Sequence, residues 1–323
     1  MIVIPALVFL FTLFSFSSFS LAETRKIYFC HVGRSANQIA PFVAKKKGFF
    51  RQEGLDVELI QASGNICIAG VVSKNVDYTH VFGSVVRAAI KGLPIRAVMS
   101  TSDSPDYGLV VRAGIKNFTD LHGKTLAVSR AGGGADVTAR LILEKNGLIP
   151  DKDVKIAPVG SSDEARVAAL EQGLVDGITV NIVQALTLEK KGYKILAWAV
   201  DEVEFPFNCV CASTDKISDQ PDEVKKVILS FLRAIKLIRE DRQQAVSLMM
   251  EWSKIDKETA EQSYPVVARN FSITGEPKSE GMKVVLRQAQ KEMQMTEDVP
   301  VSKVADFSLL KSVQKELGLS RMP

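Results

Sequence analysis

RSANQIAPFVAKKKGFFRQEGLDVELI, residues Arg34–Ile60, is the stretch that decides the fold of this chain. A polar loop leads into apolar side chains that recur at helical spacing, and Gly48 lies near the end of that predicted helix. Gly54 marks a turn, and Leu55–Ile60 beyond it reads as a strand. Lys26–His31, just before the loop, is rich in strand formers as well. The pattern predicts a strand, a loop, a helix and a second strand.

The same order of elements returns about one hundred residues later, in SRAGGGADVTARLILEKNGL, residues Ser129–Leu148. Four pairs share an offset of 99 positions: Gly48 and Gly147, Ser63 and Ser162, Ala69 and Ala168, and Asp77 and Asp176. A repeat of alternating strands and helices predicts two α/β lobes, each a mixed, mostly parallel sheet flanked by helices. From Gln220 onward only helices are predicted, and we expect this tail to pack on the first lobe.

The bulk composition is that of a globular protein with about two domains. The chain has 323 residues and a net charge of +4, and it contains no dense block of Lys and Arg, so we expect no nucleic-acid partner. The three histidines are scattered and no CxxC pair occurs. We therefore expect no metal and no cofactor.

The amino terminus has the pattern of an export signal. Met1–Ala22 carries no charge, contains an apolar core and ends in the small-x-small sequence Ser20-Leu21-Ala22. Cleavage after Ala22 would leave a periplasmic protein. No cysteine follows the cleavage point, so a lipoprotein is not indicated. The alternative is an uncleaved anchor, because no Lys or Arg precedes the apolar run.

Cysteine usage leaves the redox state open. The chain contains Cys30, Cys67, Cys209 and Cys211, all in apolar predicted strands or helices. Buried free thiols are the simpler interpretation, and disulfide pairing is the alternative that an exported protein permits.

Candidate ligand-binding residues lie in the loops that follow the strands, because in open α/β sheets a ligand binds outside the carboxyl ends of the strands. Several of these loops open helices, whose free N–H groups favour an anion, and Arg suits carboxylate or sulfonate recognition. The alternatives are that the arginines lie on the rim and that the Asn and Ser residues only cap helices or turns. The candidates are Arg34, Asn37, Gln38, Gly64, Asn65, Ser84, Ser102, Arg130, Gly133, Gly134, Ser162 and Asn181.

Four stretches carry a resemblance to a known family. They are APFVAKKKGFFRQEGLDVELI (40–60), LHGKTLAVS (121–129), FPFNCVCAS (205–213) and QPDEVKKVILSFLRAIKLIRED (220–241). Together with the Val-Asp pairs that precede two strands, they resemble the alkanesulfonate-, taurine- and thiamine-pyrimidine-type substrate-binding proteins of ABC importers. The resemblance covers nearly all of residues 25–323 and implies a type II periplasmic-binding fold.

The resemblance also implies a domain division and a function. Residues 25–112 and 208–323 would form lobe one, and 113–207 would form lobe two, with crossings near 111–112 and 205–208. The protein would be a monomeric solute receptor, not an enzyme, that closes by hinge motion and delivers a small solute to an ABC permease with its ATPase. One alternative is a periplasmic sensor ectodomain without transport. Another is a pyrimidine-synthase-like enzyme, but that branch carries a cysteine cluster and a His where Ile39 stands here.

Overall fold

The computed structural model describes residues 25–160 and 162–318. The predicted signal peptide and its cleavage point after Ala22 lie outside the described residues. Within the described ranges, no helix is both long and apolar enough to cross a membrane.

In the described part of the chain, ten strands form two sheets of five strands each. The strands are β1 (Arg25–His31), β2 (Leu55–Gln61), β3 (Tyr78–Thr79), β4 (Ile95–Ser100), β5 (Tyr107–Val111), β6 (Thr125–Val128), β7 (Lys155–Pro158), β8 (Gly177–Asn181), β9 (Lys194–Trp198) and β10 (Cys209–Ser213). The first sheet has the order β2-β1-β3-β10-β4 and the second β7-β6-β8-β5-β9. The two orders are topologically identical, as the internal repeat predicted.

In each sheet the fourth strand is antiparallel to its neighbours and comes from a crossing between the two halves of the chain. β5 lies between β8 and β9, although it follows β4 in sequence. The predicted boundary at residue 112 is therefore too late, because Tyr107–Val111 already belongs to the second sheet. The first crossing spans 101–106, and the second spans 203–208 before β10. Chain order alone suggested the wrong sheet for β5, since successive strands usually pair.

Two of the repeated residue pairs explain why the repeat is visible in the sequence. The Asp77 carboxylate accepts the backbone N–H of Tyr28 at 2.8 Å, and the Asp176 carboxylate accepts that of Thr125 at 2.9 Å. In each half this acid stands just before the central strand, β3 or β8, and holds the start of that strand against its neighbour, β1 or β6. Gly48 and Gly147, with φ of 73° and 79°, end the first helix segment of each half in the left-handed conformation that favours glycine.

Helices cover both sheets and form the carboxyl-terminal part of the chain. They are α1 (Ala40–Lys46), α2 (Phe49–Gln52), α3 (Gly64–Val72), α4 (Gly83–Ile90), α5 (Gly134–Lys145), α6 (Asp163–Glu171), α7 (Ile182–Lys190), α8 (Ala199–Glu202), α9 (Thr214–Asp219), α10 (Pro221–Glu240), α11 (Arg242–Ser253), α12 (Lys257–Asn270), α13 (Ser279–Glu292) and α14 (Ser308–Glu316). Short 3₁₀ turns occur at Ala36–Gln38, Phe118–Leu121 and Val301–Lys303.

The first helix of the predicted tail beyond Gln220 is α10, and it packs on the first sheet, as expected of the tail. Phe231 is fully buried, and its ring lies 5.3 Å from that of Phe29 in β1. Each large apolar side chain buried in this way contributes about 1.5–3 kcal/mol. Further along, Leu286 and Ala289 of α13 pack on Val86 of α4 in a second apolar cluster. This contact brings the end of α13 to the edge of the first lobe.

The cysteines divide into two pairs. Cys30 of β1 and Cys67 of α3 form a disulfide, so the expectation of free thiols is wrong for these two. Cys209 and Cys211 in β10 are free and fully buried. Residues 37 positions apart meet here because α3 packs beside β1, a neighbourhood that cysteine spacing does not reveal.

Candidate functional site

A cavity of about 310 Å³ lies between the two sheets. Its wall comes from the loops after β1 and β3, the glycine-rich loop after β6, the second crossing and the end of α13. This volume suits a small solute. The lining side chains on the first-lobe side include Val32, Ser35, Asn37, Gln38, Val81, Phe82, Ser84 and Arg87; those of lobe two and the crossing include Tyr107, Arg130, Val137, Phe205, Phe207 and Asn208; and α13 adds Val284, Val285, Gln288, Ala289 and Glu292.

Two helices begin at the cavity wall, one from each lobe. Gly83 and Ser84 open α4, and Gly133 and Gly134 stand at the start of α5. The first N–H groups of a helix have no partner within the helix, and the helix dipole makes this end positive. Both features favour a negatively charged group in the cavity.

Three charged side chains line the cavity. Arg87, one turn into α4, donates to the Ser84 hydroxyl at 3.1 Å and lies 3.3 Å from the Glu292 carboxylate. Burial lowers the pKa of Arg87, Glu292 raises it and Arg130 lowers it. Arg130 is exposed, and its guanidinium has a long 3.5 Å contact to the Ala131 carbonyl. Among the described residues, no carboxylate lies within ion-pair distance of Arg130. Arg87 is thus paired with a carboxylate, and Arg130 is available to a ligand.

The glycine-rich loop fits its neighbours too closely for side chains. A Cβ on Gly134 would lie 2.8 Å from the Phe207 ring, and one on Gly132 would overlap the Glu292 carboxylate. The Asp136 carboxylate accepts the Gly132 N–H at 2.7 Å and is paired with Arg140 of the same helix. Asp136, in the first turn of α5, therefore fixes the loop against this helix.

Asn37 and Gln38 tie the first lobe to both crossings. The Asn37 amide donates to the Asp106 carboxylate at 2.6 Å, and the Gln38 amide donates to the Asn208 side-chain oxygen at 2.6 Å. Ser102 belongs to the same network, since its hydroxyl accepts the Asn208 N–H at 3.0 Å. Asn37 and Gln38 both line the cavity, and each also holds a crossing segment in place.

Asp106 is a titratable group that accepts a hydrogen bond in this network. It is 2% exposed, and burial, with a smaller contribution from Asp163, raises the pKa of Asp106 to about 7. Hydrogen bonding to Asn37 acts in the opposite direction. One carboxylate oxygen, Oδ2, has no hydrogen-bond partner among the described residues. Near neutral pH this carboxyl group therefore changes between its protonated and its ionised form. It does so next to the Asn37–Asp106 hydrogen bond, which joins lobe one to the first crossing.

Two predicted residues lie at a second, smaller cavity of about 230 Å³. Arg34 is exposed there, with its guanidinium 5.7 Å from the centre of the Trp252 ring. Asn181 accepts the Gln184 N–H at 3.1 Å and caps α7. Neither residue lines the larger cavity, so Arg34 and Arg130 lie at different cavities, and the alternative of a position outside the main cleft describes Arg34. The 3₁₀ turn after Arg34 directs Asn37 and Gln38, instead of the arginine, toward the larger cavity.

Four other predicted residues also lie outside the lining of the larger cavity. Ser102 serves the crossing network, and Ser162 caps α6 through the Ala165 N–H at 3.3 Å. Gly64 is the first residue of α3, and a Cβ there would lie 3.5 Å from the Ser84 hydroxyl oxygen. Asn65 is exposed in the first turn of the same helix. For Ser102 and Ser162 the turn and capping interpretations describe the contacts. Asn37, Gln38, Ser84, Arg130, Gly133 and Gly134 do line the cavity.

The prediction missed the cavity residues that come from distant parts of the chain. Arg87 follows the correctly identified Gly83-Ser84 loop by one helical turn, and that spacing could have indicated it. Gln288 and Glu292 reach the cavity only because α13 packs on α4, and no local pattern signals this contact. Tyr107 was hidden by the assignment of its strand to the other sheet.

The profile of the NMT1/THI5-like family matches residues 35–245, which is more than half of the chain. The chain therefore belongs to the NMT1/THI5-like family. A binding protein of Bacillus subtilis (strain 168), YtlA, is 23% identical over 281 residues, which is 83% of each chain. A protein of the same organism named as an aliphatic sulfonates-binding protein is 25% identical over 229 residues, 68% of each chain.

Solved structures share the two-lobed fold. The structure described as the periplasmic sulfonate-binding protein SsuA from Methylobacillus flagellatus KT has a TM-score of 0.74 and 18% identity, and the match covers 93% of this chain and 96% of that one. The desulfurization enzyme DSZB has a TM-score of 0.66 and 15% identity, with 90% and 99% covered. The fold is thus the type II periplasmic-binding-protein fold, and it is shared by binding proteins and at least one enzyme.

Proposed function

We propose that this protein is the solute receptor of an ABC importer and that it binds a small organic anion in the cavity between its lobes. The observation that carries the proposal is the cavity itself, which combines two helix amino termini and Arg130 with an apolar wall. The relative YtlA, named as a binding protein, supports the receptor function, and the relative named as an aliphatic sulfonates-binding protein supports the same class of ligand. A sulfonate or carboxylate on an apolar body matches both parts of the wall.

Binding and closure follow from the two crossings. The solute contacts the first lobe through Ser84 and the second lobe through the loop at Arg130, so its binding energy favours the closed arrangement. The segments 101–106 and 203–208 act as the hinge, and Asn37 and Gln38 hold them against lobe one. In the closed form the protein would dock on a permease that works with its own ATPase. No bond of the solute is broken.

Location outside the cytoplasm belongs to the same proposal. The Cys30–Cys67 disulfide supports it, because such bonds persist in oxidising compartments. The uncharged segment Met1–Ala22 would serve as the export signal.

A thermal-shift screen tests the proposal. The purified protein is screened with alkanesulfonates, aromatic acids, nucleobase-like compounds and amino acids, and a bound ligand raises the Tm by an amount that grows with the logarithm of its concentration relative to its Kd. We expect stabilisation by an anion and not by neutral compounds. Chemical conversion of any tested compound by the protein would refute the receptor function.

The Arg130→Ala variant tests the anion contact by calorimetry with the best ligand of the screen. A charge-assisted hydrogen bond is worth about 1.5–3 kcal/mol, so the Kd should rise by roughly 10- to 100-fold. The matched control is Arg51→Ala, because Arg51 is exposed on α2 and lies outside the cavity lining. An unchanged Kd in Arg130→Ala would contradict the proposed site.

A further inference from the structure

Glu292 is an acid in a cavity that otherwise favours anions. It stands at the end of α13, far in sequence from both first loops, and its side chain is only 16% exposed. Of the charged residues that the structure describes in the cavity lining, Arg87 and Arg130 are positive and Glu292 is the one acid. The lining therefore carries a net charge of +1 instead of +2.

The Glu292 carboxylate is held in place from three sides. Arg87 lies 3.3 Å from one oxygen, and the Gln288 amide donates to the other at 3.1 Å. On the third side lies Gly132 of lobe two, where any Cβ would overlap the carboxylate. Gly132 also has a φ of 69°, a conformation that side chains rarely adopt. The Glu292 carboxylate, held by these three contacts, is therefore a fixed part of the cavity wall.

We propose that Glu292 sets the charge selectivity of the cavity, so that it accepts singly charged anions and rejects doubly charged ones. This inference rests on the proposed binding of an anion in the cavity. Glu292 pairs with Arg87 and leaves Arg130 and the helix amino termini for the solute. A monoanion such as a sulfonate or sulfate ester matches the remaining charge. A dianion such as a phosphate ester brings a second charge toward the Glu292 carboxylate in a partly desolvated space, where repulsion is strong.

The test compares n-butyl sulfate with n-butyl phosphate by calorimetry at pH 8.5. The two esters have nearly the same shape, but the phosphate monoester carries close to two negative charges at this pH, because its second pKa is about 6. We expect the unmodified protein to bind the sulfate at least ~10-fold more tightly. In Glu292→Gln, which keeps the length and the hydrogen-bonding capacity of the side chain, the phosphate should bind at least ~10-fold more tightly than it does to the unmodified protein.

Two further variants separate charge from shape. Glu292→Asp keeps the charge and should keep the preference for the sulfate. Glu280→Gln removes a charge from the exposed first turn of the same helix and should change the ratio of the two Kd values by less than about twofold. An unchanged ratio in Glu292→Gln would overturn the inference, as would an equal loss of preference in Glu292→Asp. Absence of binding by both esters in every variant would overturn the proposed anion receptor and this inference with it.

Discussion

Replacing Asp106 by Asn should change the pH dependence of stability, because this buried carboxyl group has an unusual proton affinity. The pKa of Asp106 rises from its ordinary value of 3.8 to about 7, first through burial and then through Asp163. The folded protein therefore holds a proton on Asp106 that the unfolded chain releases above pH 4. Stability contributed by the protonated group is complete at low pH and is lost as the pH rises toward 7.

The magnitude follows from the difference between the two pKa values. About 1.4 kcal/mol corresponds to each tenfold change in proton affinity, so the full loss between pH 4 and pH 8 is about 4 kcal/mol. Asn cannot ionise, and its oxygen can still accept the Asn37 amide. Its NH₂ group takes the place of Oδ2, which has no hydrogen-bond partner among the described residues. The unpaired NH₂ group therefore costs about 1 kcal/mol or more of stability. We expect Asp106→Asn to be about 1–3 kcal/mol more stable than the unmodified protein at pH 8.

Thermal unfolding at several pH values measures this effect. A change of 1 kcal/mol shifts the Tm by about 2–4 °C in a protein of this size class, so Asp106→Asn should unfold about 2–12 °C higher at pH 8 and no higher at pH 4. The control is Asp298→Asn, which removes the same charge from an exposed position. A Tm difference between Asp106→Asn and the unmodified protein that is constant from pH 4 to pH 8 would refute the role assigned to burial.

Two other substitutions test the packing of the site and the disulfide. Gly134→Ala places a Cβ 2.8 Å from the Phe207 ring and should destabilise the protein by about 1–3 kcal/mol in chemical unfolding, whereas Gly114→Ala, which meets no atom within 4 Å, should cost less than about 0.5 kcal/mol. Equal effects of the two alanines would contradict the close fit at Gly134. Replacing both Cys30 and Cys67 by Ala should lower stability by about 2–4 kcal/mol, because the disulfide joins residues 37 positions apart, and dithiothreitol should no longer change the Tm. A reductant effect that persists in this variant would point to another disulfide.

The fold was predictable because the sequence repeats its own physical requirements. Asp77 and Asp176 each accept an N–H of the strand beside the central one, and Gly48 and Gly147 each end a helix in the left-handed conformation. These features recur within each half of the chain, so the same residue stands at the same position in both halves. The position of β5 was not predictable in this way, because its partners β8 and β9 come much later in the chain.

The candidate site was predictable only in part, because contacts between distant parts of the chain leave no local pattern in the sequence. The loops at Ser84 and Arg130 follow strands and open helices, and the sequence shows both features. Glu292 enters the cavity through the packing of α13 on α4, and that contact depends on two apolar faces that are compatible with many partners. Arg34 shows the opposite case, since its loop was found correctly but the 3₁₀ turn directs its side chain toward the second cavity.

Crystals grown with 2-bromoethanesulfonate test the central claim most directly, since the bromine locates the ligand by anomalous scattering. We predict one bromine peak in the cavity between the two sheets, with the sulfonate within about 3.2 Å of the Arg130 guanidinium or of the first N–H groups of α5. A peak elsewhere on the molecule, or an empty cavity at a concentration that raises the Tm, would contradict the account.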